Sequence, residues 1–226
     1  MGLDMYLYRM PRYKSATAKD VRVVEEYLDW KREKSDPNSK YKNCTMEKWC
    51  GIKYKEVNKE FVKFYHQFYE EKYYPWDSEH KYPHCGIKEE VGYWRKANAI
   101  HNWFVENLQD GEDDCNYHKE FTEGDIKNLL NICIDVIRFS KTTNGKVKNG
   151  STYYNNEWHD NMEDGIVIEN PEVAADLLPV CSGFFFGGTE YDEYYLECIH
   201  DTIDICNKLL KTTDFETQMV YYCSSW

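Results

Sequence analysis

The stretch Glu90–Leu108, EVGYWRKANAIHNWFVENL, constrains this chain more than any other. At 100° per residue, Trp94, Ala97, Ile100, Phe104, Val105 and Leu108 gather on one broad apolar face, the pattern of a helix laid against a core. His101 falls in the middle of that face and Asn98 at its edge, with Asn102 and Arg95 on the adjoining shoulder. A buried donor or acceptor without a partner costs about 1–3 kcal/mol. Such a helix therefore either satisfies its polar groups inside the core or forms the wall of a pocket, and both readings stay open at this stage.

Around this stretch the chain reads as one α+β domain, residues 1–226, dominated by helices. Leu3, Met5 and Leu7 alternate with Asp4, Tyr6 and Tyr8, which predicts a strand over 2–8, and the β-prone segment 218–223 pairs with it. Both chain ends then contribute to one small sheet. Helices are expected over Thr17–Lys34 and Asn58–Tyr73, the second broken by Pro75. Another opens at Thr122, with Asp125 at the third position as its acidic partner. Lys40–Lys55 has no clean period. Residues 142–164, rich in Asn, Gly, Ser and Thr, read as a surface excursion with room for a hairpin within Lys146–Tyr154. A proline-capped short helix follows Asn170, and a long helix is expected over Glu190–Lys211, capped by Thr189 with Asp192 at its third position.

Ser182–Asp192 is the second stretch that suggests a site. Gly183, Gly187 and Gly188 permit backbone conformations closed to other residues, and a helix start follows, which is how backbone amides are offered to an anion. The spacing matches neither the dinucleotide nor the Walker loop. Glu190 and Asp192 put negative charge on the same turn, so a cation from elsewhere is needed beside it. Arg95 and Lys96 of the first stretch are the expected suppliers. The two stretches are thus expected to share one ligand site built from Trp94, Arg95, Lys96, Asn98, His101, Asn102, Ser182, Gly187, Gly188, Glu190, Tyr191 and Asp192.

Charge and cysteine usage narrow the function classes. Residues 1–108 carry 20 Lys and Arg against 17 Asp and Glu, whereas residues 109–226 carry 8 against 23. The acidic half repels phosphate backbones and attracts a basic partner surface, so general nucleic-acid binding is disfavoured. The nine cysteines show no paired C-x-x-C spacing and read as reduced thiols. His80, His84 and Cys85 lie on one side of the first stretch and Cys115 and His118 on the other, with no zinc-ligand spacing, so no metal and no cofactor are expected. No apolar run of about 18 residues suggests a membrane span, and the start of the chain has no export signal. The expected location is the cytoplasm.

The blocks MGLDMYLYR, EVGYWRKANAIHNWFVENLQDGEDDC and LLPVCSGFFFGGTEYDEYYLECIHDT resemble a family of uncharacterised proteins encoded in bacteriophages and bacterial genomes. The resemblance implies a phage or mobile-element accessory protein in a bacterial host, with a counter-defence role among the expectations. The favoured reading is a binding protein that sequesters a small polar or nucleotide-like ligand or docks on a basic host protein surface. A hydrolase or transferase using His101 with an acidic residue of the second half, and a structural or assembly component, are the alternatives.

Overall fold

The computed structural model describes residues 2–13, 16–66, 69–74, 77–85, 88–183 and 185–226, with the backbone alone at 56, 66, 69–74 and 77–85. In chain order its elements are β1 (Asp4–Pro11), α1 (Ala18–Ser35), α2 (Met46–Cys50), a 3-10 turn (Tyr54–Glu56), α3 (Lys59–His66), β2 (Tyr69–Tyr74) and β3 (Asp77–Cys85). They continue with β4 (Glu89–Arg95), α4 (Asn98–Leu108), α5 (Glu123–Phe139), β5 (Thr142–Tyr154), β6 (Glu157–Ile168), α6 (Glu172–Leu177), α7 (Glu193–Thr212) and β7 (Gln218–Ser225).

The two chain ends pair as the alternation of Leu3, Met5 and Leu7 predicts. β1 is the centre of a three-stranded antiparallel sheet in the order β4-β1-β7. Its register with β7 runs from Asp4 opposite Ser225 to Pro11 opposite Gln218. Both sheet faces are covered, because a strand's side chains alternate between them. On one face Leu3, Met5, Leu7, Val220 and Tyr222 join a core with α4, α5 and α7. On the other, Met10, Met219 and Tyr221 pack against Val21, Val24 and Leu28 of α1 and Phe61 and Tyr65 of α3. Phe104 of α4 stacks on Tyr222 with ring centroids 4.0 Å apart, a contact that contributes about 0.5–1.5 kcal/mol beyond the area it buries.

The first half of Glu90–Leu108 corrects the helical expectation. Residues Glu89–Arg95 form the third strand, pairing Asp4 with Arg95 and Met5 with Trp94. Trp94 is buried while Tyr93 is 42% exposed, so the period here is two. A Cβ at Gly92 would lie 2.9 Å from Ile205, which lets α7 cross directly over this strand. The chain then turns at Lys96, which takes a left-handed φ of 58°, and α4 begins at Asn98.

Other boundaries also shift. α3 ends at His66 and Tyr69–Tyr74 is a strand, so the helix expected to continue to Tyr73 does not. α7 starts at Glu193, capped by Asp192, whose carboxylate accepts from the backbone N–H of Tyr194 and Tyr195; Thr189 is not its cap. The excursion at 142–164 is one long hairpin reaching Ile168, of which Lys146–Tyr154 supplies only one arm. Its turn places Asn155 and Asn156 at φ 52° and 64°, as a primed two-residue turn requires. The helices at Thr17 and Thr122 carry full capping boxes closed by Asp20 and Asp125.

Among the described residues no helix is long and apolar enough to cross a membrane.

Candidate functional site

The two stretches singled out in the sequence do meet, and an amide rather than an ion pair joins them. Asn98, the first residue of α4, is buried. Its Nδ2 donates to the carbonyls of Gly188 at 2.6 Å and Phe186 at 3.3 Å, while its Oδ1 accepts from the N–H of Cys181 at 3.3 Å. The side chain thus uses its donors and acceptor on one loop, holding the glycine turn against the start of the helix. Gly187, at φ 96°, completes the contact: a Cβ there would fall 3.1 Å from Cβ of Lys96 and 3.2 Å from its carbonyl oxygen.

Between these elements opens a cavity of about 310 Å³. Its floor is apolar, formed by Ala99 and Ile100 of α4 and by Tyr195, Cys198 and Ile199 of α7. Its rim is charged, with Lys96 and Lys148 facing Glu190 and Asp192. Lys148 reaches the rim from the long hairpin, where it also pairs with Asp160 at 2.8 Å. The N-termini of two helices border the cavity, and they differ. α7 is already capped by Asp192 and has Glu193 in its first turn. α4 has Ala97 at its N-cap position, no side-chain cap and no acidic residue in its first turn. The N–H of Asn98 donates to the carbonyl of Lys96 at 2.9 Å, which leaves the next two N–H groups, of Ala99 and Ile100, with the partial positive charge of the helix start.

The expected site residues separate into two sets. Lys96, Asn98, Gly187, Gly188, Glu190 and Asp192 line the cavity. Trp94 does not; it lies in the core and donates its indole N–H to Thr202 at 2.9 Å. Tyr191 stands behind the rim, with its hydroxyl accepting from the N–H of Val180 at 3.3 Å. Ser182 is exposed and Asn102 half-buried, both outside the cavity wall. Arg95 offers its backbone carbonyl to the hydroxyl of Tyr194, and among the described residues no ion pair links it to Glu190 or Asp192. The expected charge pairing is corrected on that point: Asp192 is engaged as a helix cap, and the joint is made by Asn98.

His101 belongs to a separate network. It is 1% exposed, and both ring nitrogens are taken: Nδ1 by the hydroxyl of Tyr222 at 2.6 Å and Nε2 by the carboxylate of Asp113 at 3.0 Å. The other oxygen of Asp113 accepts from the indole of Trp226 at 3.1 Å. Burial holds the pKa of His101 below its ordinary value, against the raising influence of Asp113. The neutral ring then donates from Nε2 to Asp113 and accepts at Nδ1 from Tyr222. With no free nitrogen, this imidazole is a tie between α4, the turn after it and β7.

Comparison with known proteins returns no match to a family model, a curated protein or a solved structure.

The thiols nearest the cavity are not primed for nucleophilic chemistry. Burial pushes Cys198 up to about 12 and raises Cys181 as well, so both stay protonated at neutral pH. Cys181 Sγ instead contacts the carbonyl of Asn98 at 3.2 Å. Among the described residues no group of three or more His, Cys, Asp or Glu is arranged to hold a metal. The side chains of His80, His84 and Cys85 lie outside the described residues.

Several lining residues escaped the sequence reading. Tyr195 and Ile199 belong to the apolar stripe of α7, and the same stripe that packs the core also floors the cavity. Lys148 sits in a segment without usable period, and only the hairpin register carries it to the rim.

Proposed function

We propose that this chain is a binding protein whose site is the cavity between α4, the glycine turn and α7, and that it holds a small polar ligand bearing an anionic group. The anion sits at the start of α4 beside Lys96, where a helix N-terminus without a side-chain cap and an ammonium favour negative charge. The opposite rim, with Glu190, takes the donor or cationic end of the same ligand. The apolar floor contributes burial of the ligand's carbon frame. In the phage or mobile-element setting that the sequence blocks imply, such a protein acts by sequestering the ligand, with counter-defence as its role.

The observation that carries this reading is Lys96. It is a non-glycine residue in a left-handed conformation, at the cavity rim, pressed against Gly187. Such a backbone state costs about 1–2 kcal/mol for a residue with a Cβ, and strain of this kind collects where a side chain is held for a purpose. The reading is tested by heating the protein purified from bacterial cells and identifying released small molecules by mass spectrometry. A stoichiometric anionic compound released by the wild type and not by Lys96→Gly supports it. Equal release from both proteins, or none from either, counts against it.

A further inference from the structure

The acidic balance of the whole chain hides a basic island. Residues 31–63 carry ten Lys and Arg against five Asp and Glu, within a protein of net charge −12. Its middle, Lys40–Lys55, has no clean period in the sequence, and the fold explains what it does. The end of α1, the loop 36–45, α2 and the following 3-10 turn close around Trp30. The Trp30 indole donates to the carbonyl of Cys44 at 2.8 Å, tying the loop to the helix. Met46, Val23 and Val57 bury beneath it as a small separate core.

The result is a second cavity, of about 440 Å³, on a surface remote in sequence from the first. Its wall includes Trp30 and Tyr54, and Lys34, Lys42 and Lys53 surround it with Glu47 as the one acidic residue. Lys34 lies over the Trp30 ring at 4.8 Å from its centroid. Tyr54 is 53% exposed although it packs on Trp30 at 6.1 Å and on Tyr27 at 5.9 Å. Among the described residues none of the three lysines is paired with a carboxylate. Lys42 donates to the carbonyl of Pro37 at 3.3 Å and Lys34 lies on Trp30, so all three ammonium groups keep their net charge around one hollow that Tyr54 leaves open.

We infer that this cavity is a second binding site, for the phosphate and base of a nucleotide, presented either free or within a single strand. The three lysines meet the phosphate charge, and the exposed face of Tyr54 accepts the base by stacking, which contributes about 1–3 kcal/mol per base in sites of this type. Duplex binding is not implied, because the acidic remainder of the molecule repels a long, stiff polyanion on every other side. The proposal is independent of the cavity at α4.

The test uses the full chain and two probes. A fluorescein-labelled twelve-nucleotide oligo(dT) is titrated by fluorescence anisotropy at low salt, and unlabelled ATP is added as competitor. The oligonucleotide is expected to bind with log K falling against log salt with a slope of about −2, as three neutralised phosphates on a single strand require. Displacement by ATP identifies a free nucleotide as sufficient, and resistance to ATP identifies the strand as the source. The double variant Lys42→Glu, Lys53→Glu and the single variant Tyr54→Ala are each expected to weaken binding at least tenfold. Both lysines are exposed, so the double variant should keep the wild-type melting curve. Absence of binding by either probe overturns the proposal, as does binding that both variants leave unchanged.

Discussion

Gly187 rests on Lys96: a Cβ at position 187 would stand 3.2 Å from the Lys96 carbonyl oxygen and 3.1 Å from its Cβ. The contact joins the glycine turn to the junction of β4 and α4, and both partners have left-handed backbone, at φ 96° and 58°. Only one of them is a glycine. The binding account follows from that asymmetry.

Substituting Lys96 by glycine separates stability from function. Glycine adopts the observed φ without the steric cost that a Cβ brings, while it loses more entropy on folding. Lys96→Gly is therefore expected to leave stability unchanged or raise it by up to about 1 kcal/mol, as read by urea denaturation. A loss of more than that would mean the lysine stem supports the fold.

Asn98→Ala should be costly for the opposite reason. It leaves the carbonyls of Gly188 and Phe186 and the N–H of Cys181 without their partner, the Phe186 carbonyl in a buried place and the other two half-buried. Removing such a buried partner costs about 1–3 kcal/mol. The glycine turn should also loosen, seen as faster amide exchange over 183–190. A variant as stable and as protected as the wild type would show that the amide is dispensable.

The His101 network makes a prediction about pH. Its folded pKa lies below the ordinary value because burial disfavours the charged ring. Between the unfolded value of about 6.5 and the lower folded value, the unfolded chain binds more protons. Stability contributed by the neutral ring is thus fully present above about pH 6.5 and is lost as pH falls through the folded pKa. His101→Gln keeps a donor for Asp113 and an acceptor for Tyr222 but does not titrate. Its stability should decline less steeply than that of the wild type between pH 6.5 and 5, and parallel curves would remove His101 as the cause.

Deleting the last nine residues, 218–226, removes a whole edge of the sheet. Val220, Tyr221 and Tyr222 are at most 2% exposed and fill both faces, and Tyr222 also holds His101. Fully burying side chains of this size contributes about 1.5–3 kcal/mol each. The truncated chain is expected to lose cooperative melting. A melting curve like that of the full chain would make β7 peripheral.

Much of this fold is legible locally. The alternation at Leu3, Met5 and Leu7 and the capping chemistry at Thr122 are decided within a few residues, and the structure has them as expected. Glu90–Arg95 is different, because Trp94 satisfies a helical stripe as well as a strand's inward face. Only pairing with β1, more than 80 residues earlier, decides between them. The start of α7 is ambiguous in the same way, since Thr189 and Asp192 both have capping chemistry and the backbone N–H groups of Tyr194 and Tyr195 select Asp192. At the site, the sequence brings the right stretches together for the wrong reason. It matches Arg95 to acids by charge, whereas Asn98 reaches backbone carbonyls whose positions no residue pattern reveals. The partners of His101, Asp113 and Tyr222, come from a turn and a distant strand, and a single helix face cannot announce either.

The central claim, that the cavity beside Lys96 is where this protein holds its ligand, is tested most directly by native mass spectrometry of three proteins purified alike from bacterial cells. These are the wild type, Lys96→Gly, and the Lys42→Glu, Lys53→Glu double variant as a folded control with this cavity untouched. The account predicts one small-molecule adduct that is present on the wild type and on the control and absent from Lys96→Gly. Survival of that same adduct on Lys96→Gly, or its absence from all three, contradicts the account.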